Sequence, residues 1–316
     1  MSWRVPWVDA DTIFRVLPWV DAVEAVGLAL SAGLDPSADP SRVGVPVGAG
    51  ELLLMPSEVA ERVGIKVASV APGNPVRGLP RIQAVYILMD AATLTPLAML
   101  DGTALTTVRT PAVSAYAVAR LAPLEARTLT VFGNGPQSWG HVRAVSSVRP
   151  ISEVVVVGRD AGRTANLVER LRSEGCEARP GDAESVALAD IVVCATSAAT
   201  PLFDGDLVKD HACVVAVGSH SPADRELDDR LMGRAMVVVE DRATALREAG
   251  DVVLAVKSGV LNPATILDLP KVAAHEQWTL NGPTVFKSVG MAWQDLVMAA
   301  EVVKRLTQHP HAASIA

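Results

Sequence analysis

A glycine turn near the middle of the chain has the residue types and the spacing to hold a phosphate group. Leu129 to Ser138 reads as an apolar strand, a Gly133-x-Gly135 turn and a helix start, with Pro136 in its first turn. The glycines let the backbone turn tightly and approach a pyrophosphate, and the helix directs its free N–H groups at that anion. Ser138 stands where a third glycine or an alanine is usual. The turn predicts dinucleotide binding, with an ordinary strand-to-helix turn as the alternative.

The residues after the next predicted strand bear on the choice of nucleotide. That strand ends at Gly158, close to the position where a carboxylate would bind the ribose 2′-hydroxyl of NAD. Arg159 and Arg163 follow instead, and two guanidinium groups favour the 2′-phosphate of NADP(H). Asp160 is near enough to keep NAD(H) possible. The alternative interpretation is a solvated loop with two surface arginines.

Two later strands end in small and polar residues. Thr196 follows one of them, and Val217, Gly218, Ser219 and His220 follow the other. Ligands of open α/β sheets bind at the carboxyl ends of the strands, and small residues there allow backbone contact with a nicotinamide ring.

Three cations lie in apolar segments of the N-terminal half. They are Arg42, Lys66 within Gly64-Ile-Lys-Val-Ala-Ser-Val, and Arg109 within Leu105-Thr-Thr-Val-Arg-Thr. A long cationic side chain in such a run either reaches the surface or binds an anion in a cleft. For each cation alone the surface is the simpler interpretation. For the three together, near a predicted nicotinamide site, a clamp for a carboxylate is equally well supported.

Composition and periodicity define the elements that must position these residues. The 316 residues are 50% hydrophobic and only 4% aromatic, which predicts two domains with cores of Ala, Val and Leu. A net charge of −7 argues against nucleic-acid and membrane partners. No leader and no apolar run of membrane-spanning length are evident, so we expect a cytoplasmic protein. The spacing of Cys176, Cys194, Cys213 and the histidines predicts no metal site, and the last two cysteines read as buried thiols.

The periodicity changes along the chain. Residues 1–35 predict short helices, residues 43–100 predict five closely spaced strands of an antiparallel meander, and residues 103–121 predict a helix in which Pro111 is a possible kink or boundary. From 129 to 240 the alternation of near-continuous apolar strands with helices predicts a doubly wound α/β domain. The segment 281–305 follows the last predicted strand, and we expect it to pack on the meander and complete a discontinuous first domain.

A series of motifs runs along nearly the whole chain: Arg42, Leu54-Met-Pro, Ile65-Lys66-Val, Pro72-Gly-Asn74, Gly78-Leu-Pro80, Asp101-Gly, Leu105-Thr106-x-x-Arg109-Thr, Gly133-x-Gly135-x-Gln137, Asp190-Ile-Val, Ala195-Thr196, Arg225-Glu226-Leu227-Asp and Phe286-Lys-Ser-Val-Gly290. Together they resemble the ornithine cyclodeaminase and mu-crystallin family. The resemblance implies a homodimer with an α/β fold. Residues 1–117 with 292–316 would form a discontinuous α+β domain for substrate binding and dimerisation, and residues 118–291 an inserted Rossmann-type, doubly wound dinucleotide-binding domain. It further implies that Arg42, Lys66 and Arg109 surround a substrate carboxylate.

The family includes cyclodeaminases, alanine dehydrogenases, imine reductases, opine-type synthases and a hormone-binding crystallin, so one departure matters. Cyclodeaminases carry an aspartate in a Gly-x-Asp-x-Pro-Gly-Lys segment, where it handles the substrate amine. This chain has Gly218-Ser-His220-Ser-Pro-Ala-Asp224, with His220 in place of that aspartate. The segment is more similar to the reductase and mu-crystallin branch.

We therefore predict an NAD(P)-dependent oxidoreductase acting on C=N bonds, which reduces Δ1-pyrroline-2-carboxylate or Δ1-piperideine-2-carboxylate to the L-amino acid. The alternatives are an ornithine cyclodeaminase forming L-proline and ammonia, an alanine- or opine-type dehydrogenase, and a non-enzymatic ligand binder. Lys66 and His220 are the candidate catalytic residues. His220 is a possible proton donor because an unperturbed imidazole has a pKa of about 6.5, and a structural histidine is the alternative.

NADP(H) is the predicted cofactor, with NAD(H) possible. The residues predicted to bind it are Arg109, Gly133, Gly135, Pro136, Gln137, Gly158, Arg159, Arg163, Thr196, Val217, Gly218, Ser219 and Ser288.

Overall fold

The chain divides into two compact units. A computed structural model describes residues 4–275 and 281–308. Of these described residues, those up to 109 and those from 291 onward form one unit, and those from 110 to 290 form the other. Residues 1–3 and 309–316 of the predicted first domain lie outside the described residues.

The first unit is built on a mixed six-stranded sheet. Its elements are β1 (Trp7–Val8), α1 (Ala10–Val16), α2 (Trp19–Ser31), β2 (Val43–Val47), β3 (Gly50–Val59), β4 (Arg62–Val70), β5 (Ile82–Asp90), β6 (Pro96–Asp101) and the first part of α3 (Gly102–Leu121). The strand order is β1-β6-β5-β4-β3-β2. Strands β2 to β6 form the predicted antiparallel meander, and the short β1, which was not predicted, pairs parallel to β6.

The second unit is built on an eight-stranded parallel sheet. Its elements after α3 are β7 (Thr128–Phe132), α4 (Pro136–Ser146), β8 (Glu153–Val157), α5 (Ala161–Ser173), β9 (Ala178–Pro180), β10 (Ile191–Cys194), β11 (Cys213–Ala216), α6 (Asp229–Arg234), β12 (Met236–Val239), α7 (Arg242–Glu248), α8 (Gly250–Lys257), β13 (Leu267–Asp268), α9 (Leu269–Ala273) and β14 (Thr284–Lys287). The order is β13-β12-β14-β11-β10-β7-β8-β9. The strand order reverses between β7 and β10, which marks the switch point where such sheets bind ligands. The predicted α/β fold class is confirmed.

Strand β14 corrects one expectation. The predicted sheet ended at Glu240, whereas Thr284–Lys287 forms a strand between β11 and β12. All four of its residues are buried. Four residues that include a lysine gave no strand pattern by themselves, and only the pairing with two neighbours reveals the strand.

Two helices, α3 and α10, bear on expectations from the sequence. Helix α3 continues through Pro111 with neither a boundary nor an interruption there, because the residues on both sides of the proline are buried and packing holds the helix together. After β14 the chain returns to the first unit as α10 (Ala292–Gln308), which packs on β3, β4, β5 and α2. Of the predicted segment 281–305, the helix packs on the meander, whereas residues 284–287 belong to the parallel sheet as β14.

Arg149 donates hydrogen bonds to backbone carbonyls at the C-terminal end of α3. Its side chain is 7% exposed, and its Nε and Nη2 atoms donate to four backbone carbonyls, those of Val118, Ala119, Ala122 and Pro123, at 2.8 to 3.1 Å. The last carbonyls of a helix have no partner within the helix, so the guanidinium supplies the missing donors.

We expect Arg149→Met to lower the free energy of unfolding by about 3 kcal/mol, since buried carbonyls would lose charged donors. Chemical denaturation measures the change. Arg127→Met is the control, because the Arg127 side chain is 60% exposed and pairs with the exposed Glu125, and we expect less than about 0.5 kcal/mol from it. Equal stability losses in the two variants would contradict this role of Arg149.

Among the described residues, no helix is both long enough and apolar enough to cross a membrane. Cys194 and Cys213 are buried, as predicted. Both lie in parallel strands that are covered on both faces.

Candidate functional site

The three predicted cations come together in the first unit. Lys66 is in the middle of β4, and the side-chain alternation of that strand places it on the buried face between Gly64 and Ala68. Lys66 is 3% exposed, and Arg109, on α3, is 7% exposed. Arg42 is half-buried and close enough to influence the charge of Lys66. The surface alternative therefore does not hold for Lys66 and Arg109.

Helix α10 contributes two polar residues that the sequence analysis missed. The Lys66 ammonium lies 2.7 Å from Asp295 Oδ2, and Arg109 Nε lies 3.7 Å from the same oxygen. Arg109 Nη1 also donates to Gln294 Oε1 at 2.6 Å. Asp295 and Gln294 are both fully buried. The sequence did contain a signal for these two residues. A glutamine and an aspartate are adjacent in the first turn of an amphipathic helix, and they interrupt its apolar face.

Burial and the Asp295 carboxylate change the pKa of Lys66 in opposite directions. Burial lowers the pKa of Lys66 from 10.5 to about 8, because the ammonium ion loses its hydration. The Asp295 carboxylate opposes that change, and the neighbouring Arg109 and Arg42 reinforce it. Lys66 therefore carries a proton near neutral pH but releases it more readily than an ordinary lysine.

Several polar atoms in this cluster have no hydrogen-bond partner among the described residues. They are Asp295 Oδ1, Arg109 Nε and the hydroxyl of Tyr86, which is directly opposite Lys66 on β5. Burial raises the pKa of Tyr86 well above 10, with Asp295 and Asp39 adding to the effect. Leaving buried polar atoms unpaired is unfavourable by about 1–3 kcal/mol each. A polar ligand or a water molecule would supply the missing partners.

The glycine turn of the second unit is tight at Gly133 and open at Gly135. Gly133 has φ +112°, and a side chain there would collide with the Ala195 carbonyl and with Ser138 Oγ, at 2.4 and 2.7 Å from the Cβ position. At Gly135 a Cβ would meet nothing within 4 Å, so the turn is open on that side. Ser138, the imperfect third position of the motif, packs on Gly133 and is fully buried.

The N-terminus of α4 has no side-chain cap. Its N-cap residue is Gly135, which has no side chain to bond the first N–H groups. By contrast, aspartates cap α1, α5, α6 and α7. An uncapped helix start beside an open glycine turn fits the phosphates of a dinucleotide. Pro136 occupies the first helical turn, as expected.

The end of β8 is polar and exposed. Arg159 and Arg163 are exposed, whereas the side chain of Asp160 caps α5 by accepting from the Arg163 N–H at 2.9 Å. A cavity of about 640 Å³ opens beside Gly158, between α5 and the end of β9. One oxygen of the Asp160 carboxylate is thus used as the cap of α5, and Arg159 and Arg163 are both exposed.

The predicted residues at the other strand ends lie at the carboxyl edge of the same sheet. Thr196 and Gly218 are half-buried, and both bond to the buried carboxylate of Glu226. Ser288, after β14, donates to Glu240 at 2.7 Å. His220 is exposed in the loop that follows β11. Glu226 was not predicted to be a site residue, because the two loops to which it bonds come together only in the fold.

The comparisons with known proteins accord with this arrangement. The model of the ornithine cyclodeaminase/mu-crystallin family matches residues 14–309. The chain belongs to this family. Two relatives show how close the similarity is. The Δ1-pyrroline-2-carboxylate reductase of Bacillus thuringiensis subsp. konkukian (strain 97-27) is 34% identical over 266 residues, which cover 81% of this chain and 82% of that protein. The ketimine reductase mu-crystallin of Mus musculus is 33% identical over 264 residues, 82% of each chain.

A solved structure extends the similarity to the whole fold. The Thermococcus litoralis Δ1-pyrroline-2-carboxylate reductase in complex with NADH and L-proline superposes with a TM-score of 0.89. It is 26% identical and covers 97% of this chain and 98% of its own. The resemblance inferred from the motifs is therefore confirmed.

Proposed function

We propose that this protein reduces cyclic imino acids of the Δ1-pyrroline-2-carboxylate or Δ1-piperideine-2-carboxylate type to L-amino acids with NAD(P)H. It is an NAD(P)-dependent oxidoreductase of the ornithine cyclodeaminase/mu-crystallin family. The observation that supports the finer assignment most strongly is the buried cluster of Lys66, Arg109 and Asp295, with unpaired polar atoms around a lysine of lowered pKa.

In this proposal the cations hold the substrate carboxylate. Arg109 and Arg42 supply permanent charges, and a guanidinium group matches the two oxygens of a carboxylate. Lys66 gives its proton to the imine nitrogen, because its pKa of about 8 makes it a better acid than an ordinary lysine. Asp295 keeps Lys66 charged until that transfer. The nucleotide, when bound, supplies the hydride for the imine carbon. The alternative donor His220 stays a prediction.

The proposed nucleotide site uses the residues predicted from the sequence, and we propose a preference for NADP(H). The glycine turn and the uncapped start of α4 would hold the pyrophosphate. Arg159 and Arg163 would bind the 2′-phosphate, and this assignment is supported by the use of Asp160 as a helix cap.

Arg159→Ala is expected to raise the Kd of NADPH about tenfold and to leave the Kd of NADH almost unchanged, since only NADPH carries the extra phosphate. Nucleotide fluorescence titrations measure both constants. Arg179→Ala is the matched control, because Arg179 is a half-exposed arginine that pairs with Glu153 at the opposite end of β8. An equal loss for both nucleotides would count against the 2′-phosphate role.

A substrate screen tests the proposed function directly. We expect NADPH to be oxidised in the presence of Δ1-pyrroline-2-carboxylate or Δ1-piperideine-2-carboxylate. The loss of nicotinamide absorbance measures this oxidation. Incubation with L-ornithine, with measurement of the ammonia that is released, tests the cyclodeaminase alternative. Pyruvate or another 2-oxo acid, given with ammonia or an amino acid, tests the dehydrogenase alternative. Turnover only in one of these last two arms would overturn the proposal, and nucleotide binding without turnover in any arm would favour the ligand binder.

We also propose that the protein forms a homodimer through its first unit. Strand β2 is an edge strand whose three valines, Val43, Val45 and Val47, are 51%, 40% and 45% exposed. An edge strand with exposed apolar side chains can pair with another chain. The cytoplasmic location stays a prediction.

A further inference from the structure

A single buried carboxylate joins the two loops at the carboxyl edge of the parallel sheet. Glu226 Oε1 accepts from Thr196 N at 2.9 Å and from Thr196 Oγ1 at 2.7 Å. Glu226 Oε2 accepts from Gly218 N at 2.7 Å. Glu226 itself is fully buried. The loop after β10 and the loop after β11 are therefore held by the two oxygens of one side chain.

Two further buried charges hold Glu226 in place. Asp251 Oδ1 accepts from the backbone N–H groups of Glu226 and Leu227 at 2.7 and 2.8 Å. Asp251 Oδ2 lies 2.9 Å from Lys287 Nζ, and Lys287 Nζ donates to the Ser219 carbonyl at 2.6 Å. The network thus extends from α8 through β14 back to the loop after β11.

There is no free space between these groups. A Cβ at Gly218 would lie 2.1 Å from the Thr196 carbonyl oxygen and 2.4 Å from Glu226 Oε1. Because Gly218 N bonds to Glu226, residues 218–226 form a closed loop, and that loop contains His220. The polar groups of surface loops usually bond to water. A fully buried carboxylate that bonds two such loops therefore needs an explanation beyond the closure of one loop.

We infer that Glu226 is a positioning residue for nucleotide binding, which fixes Thr196 and the backbone of Gly218 and Ser219 in the arrangement that receives the nicotinamide end. This inference rests on the proposed function, because it places the nucleotide at this edge of the sheet. Glu226 acts through the loops: both of its oxygens are occupied by protein N–H and O–H donors. Fixing the loops before binding removes the entropy loss that ordering them would add.

The carboxylate form is essential to this role. A glutamate offers acceptors at both oxygens, whereas a glutamine of the same shape offers one oxygen and one NH₂ group. In Glu226→Gln, either Thr196 N or Gly218 N would face another donor. One loop would then lose its anchor, although the volume of the side chain is unchanged.

We expect Glu226→Gln to raise the Kd of NADPH about tenfold or more, with Kd measured by fluorescence titration and Tm measured on the same samples. Asp190→Asn is the matched control. Asp190 also accepts from two backbone N–H groups, those of Arg127 and Thr128 at 2.9 and 3.1 Å, but at the amino end of β7. It should lower Tm and leave the Kd of NADPH within about twofold of wild type.

Hydrogen exchange of the wild-type protein provides a second measurement that needs no variant. The amides of Thr196 and Gly218 should be protected before any nucleotide is added, because Glu226 already binds them. Rapid exchange of these amides in the free protein would overturn the inference.

The outcomes separate the inference from the proposed function. If the wild type binds neither NADPH nor NADH, both fail. If the wild type binds and Glu226→Gln binds equally well, the inference alone fails. It also fails if Glu226→Gln and Asp190→Asn weaken binding by the same factor, because the effect would then follow stability.

Discussion

Lys66→Met is expected to lower kcat/KM for the imino acid about a thousandfold. The variant removes one charge that holds the substrate carboxylate and removes the proton donor, and proton transfer by a side chain alone contributes about 10²–10⁴-fold. The Kd of NADPH should not change, because the glycine turn belongs to the other unit of the chain. Steady-state kinetics and nucleotide titration measure the two quantities.

Controls must separate chemistry from stability, since Lys66→Met leaves Asp295 as an unpaired buried carboxylate. Breaking a buried pair in this way costs about 3–5 kcal/mol. The double variant Lys66→Met/Asp295→Asn should recover most of the lost Tm and none of the activity. Lys66→Arg should keep much of the carboxylate binding but lose kcat, because a guanidinium does not release its proton. A Lys66→Met enzyme within tenfold of wild-type kcat/KM would contradict the proposed role.

Asp295→Asn is expected to move the alkaline limb of the pH profile. In the wild type, kcat/KM should fall above about pH 8, where the free enzyme loses the Lys66 proton. The negative charge of Asp295 raises the pKa of Lys66, so its removal lowers that pKa further. The limb should therefore shift by about one pH unit toward acid. Tyr86 does not interfere, because its pKa lies well above 10.

Asp39→Asn is the control for this profile. Asp39 is a nearby carboxylate that accepts from Trp293 N at 2.6 Å and from Ser57 Oγ at 2.6 Å, so it anchors the start of α10 without bonding to Lys66. Its replacement should reduce Tm and move the limb far less. An unchanged limb in Asp295→Asn, or equal shifts in both variants, would show that Lys66 is not the titrating group.

The sequence was most informative where local chemistry decides the structure. The glycine turn, the meander and the buried parallel strands could be predicted because Gly133, the close spacing of turns and the continuous apolar runs each act over a few residues. The cations of the site were also evident, since a lysine inside an apolar strand is uncommon in itself.

The partners of those residues could not be predicted in the same way. Lys66 and Asp295 are 229 residues apart in sequence, and nothing local to α10 indicates which strand it covers. Glu226 likewise binds loops that begin 30 and 8 residues before it. Strand β14 escaped prediction because its four residues are too short a run to show a strand pattern, and its place in the sheet depends on two neighbours that are distant in sequence.

The late position of β14 has a consequence for how the chain acquires its structure during synthesis. Strands β11 and β12 are made first, but both pair with β14, so each retains an open edge until Thr284–Lys287 has emerged from the ribosome. The next element, α10, then covers the sheet of the first unit. Such long-range pairing slows folding and exposes unpaired edges to other chains. Nascent chains that stop before residue 284 should therefore depend on chaperones, although most of the sequence of both units is already present.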